Sequence, residues 1–326
     1  MNAGQPGAGH PALIAAPLPP LPWPRLLHLG LVGVAVDFRY RRRNPALRKR
    51  PSVRALDPRL HRPIFIIGAP RSGTTFLGDC IGRMPEVSYH CEPRLTKALT
   101  GRVYDRSWSE RRSGQVCRMS YSALVVVALH GGRRFADKTP ENSFLVPFLA
   151  ATFPAAQFVH IIRDGRDAAV SHAEKPWLTA AAAGDGRRGP AGHPRGPYPR
   201  WWVEQDRRAE FTGVSDIVRT AWCWRRFTQA ALDGLAPLAD GRAIQVRYES
   251  MVSDPMGAAA SLGEFLGASA AGQHALRTGL ARASRDSVGR WRKALGQQQI
   301  AEVEREIGPL LTRLGYIGGP SADVSL

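Results

Sequence analysis

Ile64-Phe65-Ile66-Ile67-Gly68-Ala69-Pro70-Arg71-Ser72-Gly73-Thr74-Thr75-Phe76-Leu77 is the stretch on which the fold turns. Four consecutive large apolar residues without alternation are what a strand covered on both faces requires, as in the middle of a parallel sheet. That run enters a turn bounded by Gly68 and Gly73, after which Phe76, Leu77, Cys80 and Ile81 recur at helical spacing. The turn lies at the carboxyl end of the strand, where open α/β sheets bind their ligands. It also suits an anion. Successive backbone N–H groups and a helix start give partial positive charge, Gly73 permits close approach, and Ser72, Thr74 and Thr75 add hydroxyl donors.

Outward from this unit, Gln157–Ile162 repeats the pattern, entering Arg163-Asp164-Gly165-Arg166-Asp167 and a further helix. Ala243–Tyr248 is a third strand candidate, with a helix after Asp254-Pro255, and a short strand is expected at Arg134-Phe135-Ala136. Helical spacing fills stretches near 116–130, 143–152, 215–233 and 297–314. Strands alternating with helices predict an α/β protein: a P-loop-type three-layer fold with a central, largely parallel sheet flanked by helices. The domain is expected over 62–318, after a basic, Pro-rich extension at 1–61 and before a short tail at 319–326. An insert at 176–213, rich in Gly, Pro and Arg and carrying Trp177, Tyr198, Trp201 and Trp202, breaks the rhythm and reads as a lid over an acceptor.

Hydrophobic residues make up 44% and charged residues 22% of the 326, which excludes wholesale disorder. No run of 18 apolar residues occurs, so a spanning helix is not expected. Cys80, Cys91, Cys117 and Cys223 form no C-x-x-C pair and read as free thiols of a reducing cytoplasm. Histidines lack metal-ligand spacing, and no metal is expected. A net charge of +18 calls for an anionic partner, yet half of that excess lies in residues 1–62, with no nucleic-acid motif beside it. Nucleic acid is therefore not the expected partner. The apolar stretch 26–38, followed by Arg39-Tyr40-Arg41-Arg42-Arg43, reads first as a short helix on the body. Its sharper reading is peripheral contact of residues 26–50 with the inner face of an anionic membrane.

Gly68-x4-Gly73-Thr74-Thr75 has the spacing of a nucleotide P-loop, with Thr74 where nucleotide hydrolases carry the lysine that reaches the β/γ-phosphates. A triphosphate hydrolase is disfavoured by that exchange. Pro70–Leu77 instead resembles the 5′-phosphosulfate loop of the PAPS-dependent sulfotransferases, and Arg163–Ser171 their 3′-phosphate segment. Asp137-Lys138-Thr139-Pro140-Glu141-Asn142, Arg247-Tyr248-Glu249 and Ser287–Trp291 are similar to motifs of the branch holding bacterial and tyrosylprotein sulfotransferases. The likeness spans roughly 62–317 and leaves out the extension and the insert.

The resemblance implies PAPS as donor, PAP as product and in-line transfer of a sulfuryl group to a hydroxyl. The acceptor would be a small molecule, glycan, lipid or peptide. It implies cofactor contacts from Arg71, Ser72, Gly73, Thr74, Thr75, Arg163, Ser171, Tyr248, Ser287 and Arg290, with Arg71 also at the sulfonate. Lys138, one of only five lysines, would hold the bridging oxygen. For the base, Glu92 is preferred to His90, and Arg94 is expected to steady the carboxylate. Asp164 reads as a helix cap, and Arg166 and Asp167 as structural charges. The alternative is a non-catalytic or kinase-like nucleotide binder on the same fold.

Overall fold

Ile64–Ile67 forms strand β1, and all four residues are buried. It is the centre of a five-stranded sheet ordered β2-β3-β1-β4-β5, with β2 Val87–Cys91, β3 Arg134–Lys138, β4 Gln157–Ile162 and β5 Ala243–Arg247. Every pairing is parallel; Ile64 faces Ala136 of β3 on one side and Gln157 of β4 on the other. The computed structural model describes residues 21–51, 60–188 and 193–318. The rest of the sequence-defined extension, the tail at 319–326 and residues 189–192 of the insert lie outside them.

The pleat sends alternate side chains to opposite faces. Phe65 and Ile67 join Phe135, Phe158, Tyr121 and Phe153 in one core, roofed by α3 Arg94–Tyr104, α4 Glu110–Val127 and α5 Val146–Thr152. Ile64 and Ile66 join Ala136, Val159 and Ile161 on the other face, covered by α2 Thr74–Gly82, α10 Pro255–Leu266 and α11 Ala270–Leu280. A third cluster packs α6 Gly165–Ala173 against α8 Asp216–Leu235 and α13 Gln297–Arg313 around Trp222, Trp224 and Phe227. Full cover on both faces is why β1 is apolar throughout and why β4 is buried along its whole length, Gln157 and His160 included.

Both edge strands depart from the sequence reading. β2 was not expected as a strand, because Ser88 and His90 break its apolar character. Both are buried by α1 Trp23–Arg43, which packs beside α3 and α4 and brings Asp37 and Arg41 inward. Arg41 donates to the Tyr89 carbonyl at 2.7 Å, and Asp37 lies 3.1 Å from His90 Nδ1. At the other edge, β5 stops at Arg247, and Tyr248 already opens the short helix α9 Tyr248–Ser253. Among its described residues the insert holds the short helix α7 Arg208–Gly213, one turn at Ala180–Ala182 and an isolated antiparallel bridge between Arg188 and Pro194.

Candidate active site

All strands being parallel, their carboxyl ends share one edge, and each end delivers a residue singled out by sequence. From β2 to β5 these are Glu92, Lys138, the Gly68–Thr75 loop, Arg163 and Tyr248. At about 4.8 Å between strands the row is about 19 Å long, which suits an extended ligand lying across the edge.

At the centre, Gly73 caps α2 at φ 96° with no side-chain cap, so the first N–H groups of the helix face the edge unshielded. A β-carbon on Gly73 would stand 2.7 Å from Tyr248 Cδ2, and one on Gly68 (φ 146°) would stand 2.4 Å from the Ile161 carbonyl. The loop is thus pressed against β4 and the Tyr248 ring. Arg71 holds a left-handed φ of 69°, a conformation that costs a non-glycine residue about 1–3 kcal/mol. Its Nε donates to Ser171 Oγ at 3.1 Å, joining the loop to the second turn of α6.

Arg163 is buried where β4 ends. Its fork donates to the carbonyls of Arg71 (3.1 Å) and Ser287, and its guanidinium lies 4.7 Å from the centre of the Tyr248 ring. Arg163 Nε and Ser72 Oγ are buried without a partner. Arg71, Ser171, Arg163, Tyr248 and Ser287 therefore meet in one place, on the loop that carries Ser72, Gly73, Thr74 and Thr75. Thr74 is buried, and no ammonium occupies its position. Arg290 lies nearer the surface and pairs with Glu174 at 2.6 Å.

The neighbouring charges are structural. Asp164 caps α6 by accepting from Arg166 N, and Arg166 binds Asp164 and Glu304 while stacking 4.0 Å from the Trp291 ring. Asp167 accepts from the backbone of Gly289 (2.7 Å) and Trp291 (3.0 Å), which holds the Ser287–Trp291 segment against the site. Trp291 itself is buried.

At the β2–β3 side, Glu92 holds φ 53°, and its carboxylate is gripped at both oxygens: Lys138 Nζ at 2.6 Å on Oε1 and Lys97 Nζ at 2.5 Å on Oε2. Lys97 also meets Glu141 at 3.2 Å. Burial alone would raise the Glu92 pKa, but Lys138 and Lys97 outweigh it and hold the carboxyl well below its ordinary range. Burial would lower the Lys138 pKa, and Glu92 reverses that and raises it. Asp137 anchors the same strand end, accepting from Tyr121, Thr139 and Asn142, and burial pushes it up to about 6.

His90 does not reach this cluster. It is buried beneath α1, stacked on Phe135 and bonded to Ser88 and Asp37, and burial pushes its pKa down. Glu92, not His90, lines the adjoining cavity. Arg94 is not the steadying cation either. It lines a groove beside α1, and the two cations bound to Glu92 are lysines. Lys97 is the residue the sequence reading passed over. Its signal was its scarcity as one of five lysines, five positions after Glu92.

The cavity beside Glu92 is also lined by Lys97, Glu141, Trp177, Arg200, Trp201 and Phe227. The insert's aromatic residues divide their work. Trp177 packs on His172 and Trp201 on Tyr104 and Phe144, whereas Trp202 is buried against Phe211 and Phe227. Among the described residues no group of three or more His, Cys, Asp or Glu is arranged to hold a metal ion.

Removing Lys97 tests the electrostatics. With one of its two cations gone, Glu92 should become easier to protonate. Lys97→Met is expected to move the acid limb of a pH–rate profile upward by about 1–2 units. An unmoved limb would mean that Glu92 is not the group titrating there.

Residues 63–183 match the family model described as the sulfotransferase family. Protein-tyrosine sulfotransferase A of Caenorhabditis elegans is 22% identical over 78% of this chain and 67% of its own length. Protein-tyrosine sulfotransferase 2 of Gallus gallus is 30% identical over 32% of this chain and 31% of its own. The nodulation protein NoeE of Sinorhizobium fredii is 29% identical over 31% of this chain and 28% of its own. The chain thus spans about two thirds of the first of these relatives and under one third of the other two. Among solved structures, sulfotransferase STF9 from Mycobacterium avium superposes with a TM-score of 0.50 at 14% identity, covering 93% of this chain and 86% of that one, a likeness of fold.

Proposed function

We propose that this chain, which belongs to a sulfotransferase family, moves the sulfuryl group of PAPS to a hydroxyl by in-line displacement, releasing a sulfate ester and PAP. The observation that carries the reading is the order along the sheet edge: proton-handling groups at β2 and β3, an anion loop at β1, and a second anion grip at β4 and β5.

In this reading the α2 N-terminus, Ser72, Gly73, Thr74 and Thr75 hold the 5′-phosphosulfate. Arg163 and Ser171 hold the 3′-phosphate, with Ser287 and Arg290 beside them, and the Tyr248 ring supports the nucleotide. The unpartnered Ser72 Oγ and Arg163 Nε support it, since buried polar atoms are almost always paired. Arg71, bonded to Ser171 and next to Arg163, is the cation shared between the two anionic ends.

Lys138 and Glu92 divide the chemistry. Glu92 accepts the acceptor's proton as the new O–S bond forms. Lys138 donates to the bridging oxygen as the old S–O bond breaks, and the electron pair leaves with PAP. Lys138 cannot serve Glu92 and that oxygen with the same hydrogen. As its charge is shared with the donor's bridging oxygen, Lys138 depresses the Glu92 pKa less and Glu92 becomes a stronger base. The Trp177 and Trp201 rings support an acceptor with an apolar or aromatic body, so among small molecules, glycans, lipids and peptides those with such a face are favoured.

Incubation with PAPS carrying labelled sulfate and a fractionated lysate tests the reading. Label is expected in one acceptor fraction, released from it as free sulfate by acid, with equivalent release of PAP. Hydrolysis of ATP in place of sulfate transfer would replace the reading by the kinase-like alternative.

A further inference from the structure

Helix α1 buries Leu26 and Gly33 against the body, yet it also turns two charges inward and leaves four large apolar residues outside. Its charged residues Asp37 and Arg41 face inward, on His90, His130 and the Tyr89 carbonyl. Its apolar residues Trp23 (63% exposed), Leu27 (67%), Leu31 (73%) and Phe38 (65%) face out. Positions 23, 27, 31 and 38 fall within one 80° sector of a helix, so they form a single stripe, about 22 Å from end to end. Met119 and Val127 of α4 extend it across a shallow groove whose floor includes Leu26, Val116 and Leu124. Contiguous exposed apolar surface of this kind marks a contact site rather than chance.

We propose that α1, with the adjoining face of α4, seats the protein on an anionic lipid surface. Charge selects the occupant. Residues 21–51 carry eight Arg or Lys and one acid, Asp37, which is turned inward on His90. Arg25, Arg39, Arg42 and Arg43 of α1 are exposed, as are Arg48 and Arg50 just after it. A second copy would bring this positive rim against itself, and a nucleic acid would leave Leu27 and Leu31 uncovered. A bilayer surface with acidic headgroups takes both the apolar stripe and the arginines. Among the described residues no helix is long and apolar enough to cross a membrane, so α1 lies along the surface. The seat is coupled to the site: Asp37 and Arg41 bind β2, whose end carries Glu92, and Pro93 and Leu95 line the groove.

The test is co-sedimentation of the full chain with vesicles of phosphatidylcholine, with or without one third phosphatidylglycerol. The protein is expected to partition at least about tenfold more strongly onto the anionic vesicles. The double variant Leu27→Asp, Leu31→Asp should lose that binding while keeping its melting temperature, since both side chains are exposed. Arg42→Gln with Arg43→Gln should weaken it roughly tenfold or more and flatten its salt dependence. Failure to bind anionic vesicles, or equal binding by the aspartate variant, overturns the proposal. So does a dimer, seen by sedimentation velocity, that the aspartate variant abolishes. If the aspartate variant fails to fold, unchanged binding by the Arg42, Arg43 variant is the overturning result.

Discussion

Lys138→Ala should lower kcat by about 10²–10³ and change PAP affinity by only a few-fold. The split follows from position. Lys138 is buried at the end of β3, on the Glu92 side of the loop, and none of its contacts reaches Arg163 or Tyr248. Its loss removes charge from the bond being broken and leaves the groups that grip the phosphates in place. The buried Glu92 keeps Lys97 as a partner, so the variant does not leave an uncompensated carboxylate. Lys138→Arg keeps the charge in a different shape and should recover part of the rate. A loss of PAP affinity equal to the loss of kcat would instead make Lys138 a binding residue.

Arg163→Ala should have the complementary effect, weakening PAP binding by about 2–5 kcal/mol, or roughly 30- to 5,000-fold. The guanidinium is buried and preorganised before any ligand arrives, held by two backbone carbonyls and the Tyr248 ring. Removing it would leave a buried anion unpaired and would also loosen the Arg71 and Ser287 backbones that it ties together. Arg163→Lys should fall between the two, keeping a charge and losing the fork. Isothermal titration with PAP separates these outcomes, and unchanged affinity in Arg163→Ala would detach the 3′-phosphate from this strand end.

The parts legible in sequence are those whose signals are local. Ile64–Ile67 announces a two-sided strand, and Gly68 and Gly73 announce a loop, because burial on both faces and positive φ leave few alternatives in composition. Asp164 as a cap and Arg166 and Asp167 as structural charges follow from helix-end chemistry alone. What was hidden depends on distant partners. β2 is disguised because Ser88 and His90 become buriable only when Asp37 and Arg41 arrive from α1. Lys97 is hidden because the left-handed Glu92 and the following Pro93 fold α3 back over the carboxylate, a proximity no helical spacing encodes. The apolar stretch 26–38 marks a helix plainly, yet its direction of burial, with Asp37 and Arg41 in and Leu27 and Leu31 out, could be read only from the packed chain.

The central claim is that one pocket grips both phosphates of the donor. Wild-type protein titrated with PAP and with 5′-AMP, which differ only by the 3′-phosphate, examines it directly. PAP should bind at least about 30-fold more tightly, an advantage that a buried, charge-assisted grip supplies. Equal affinities would contradict the account, because Arg163, Ser171 and the Gly73 loop would then not hold a single ligand between them.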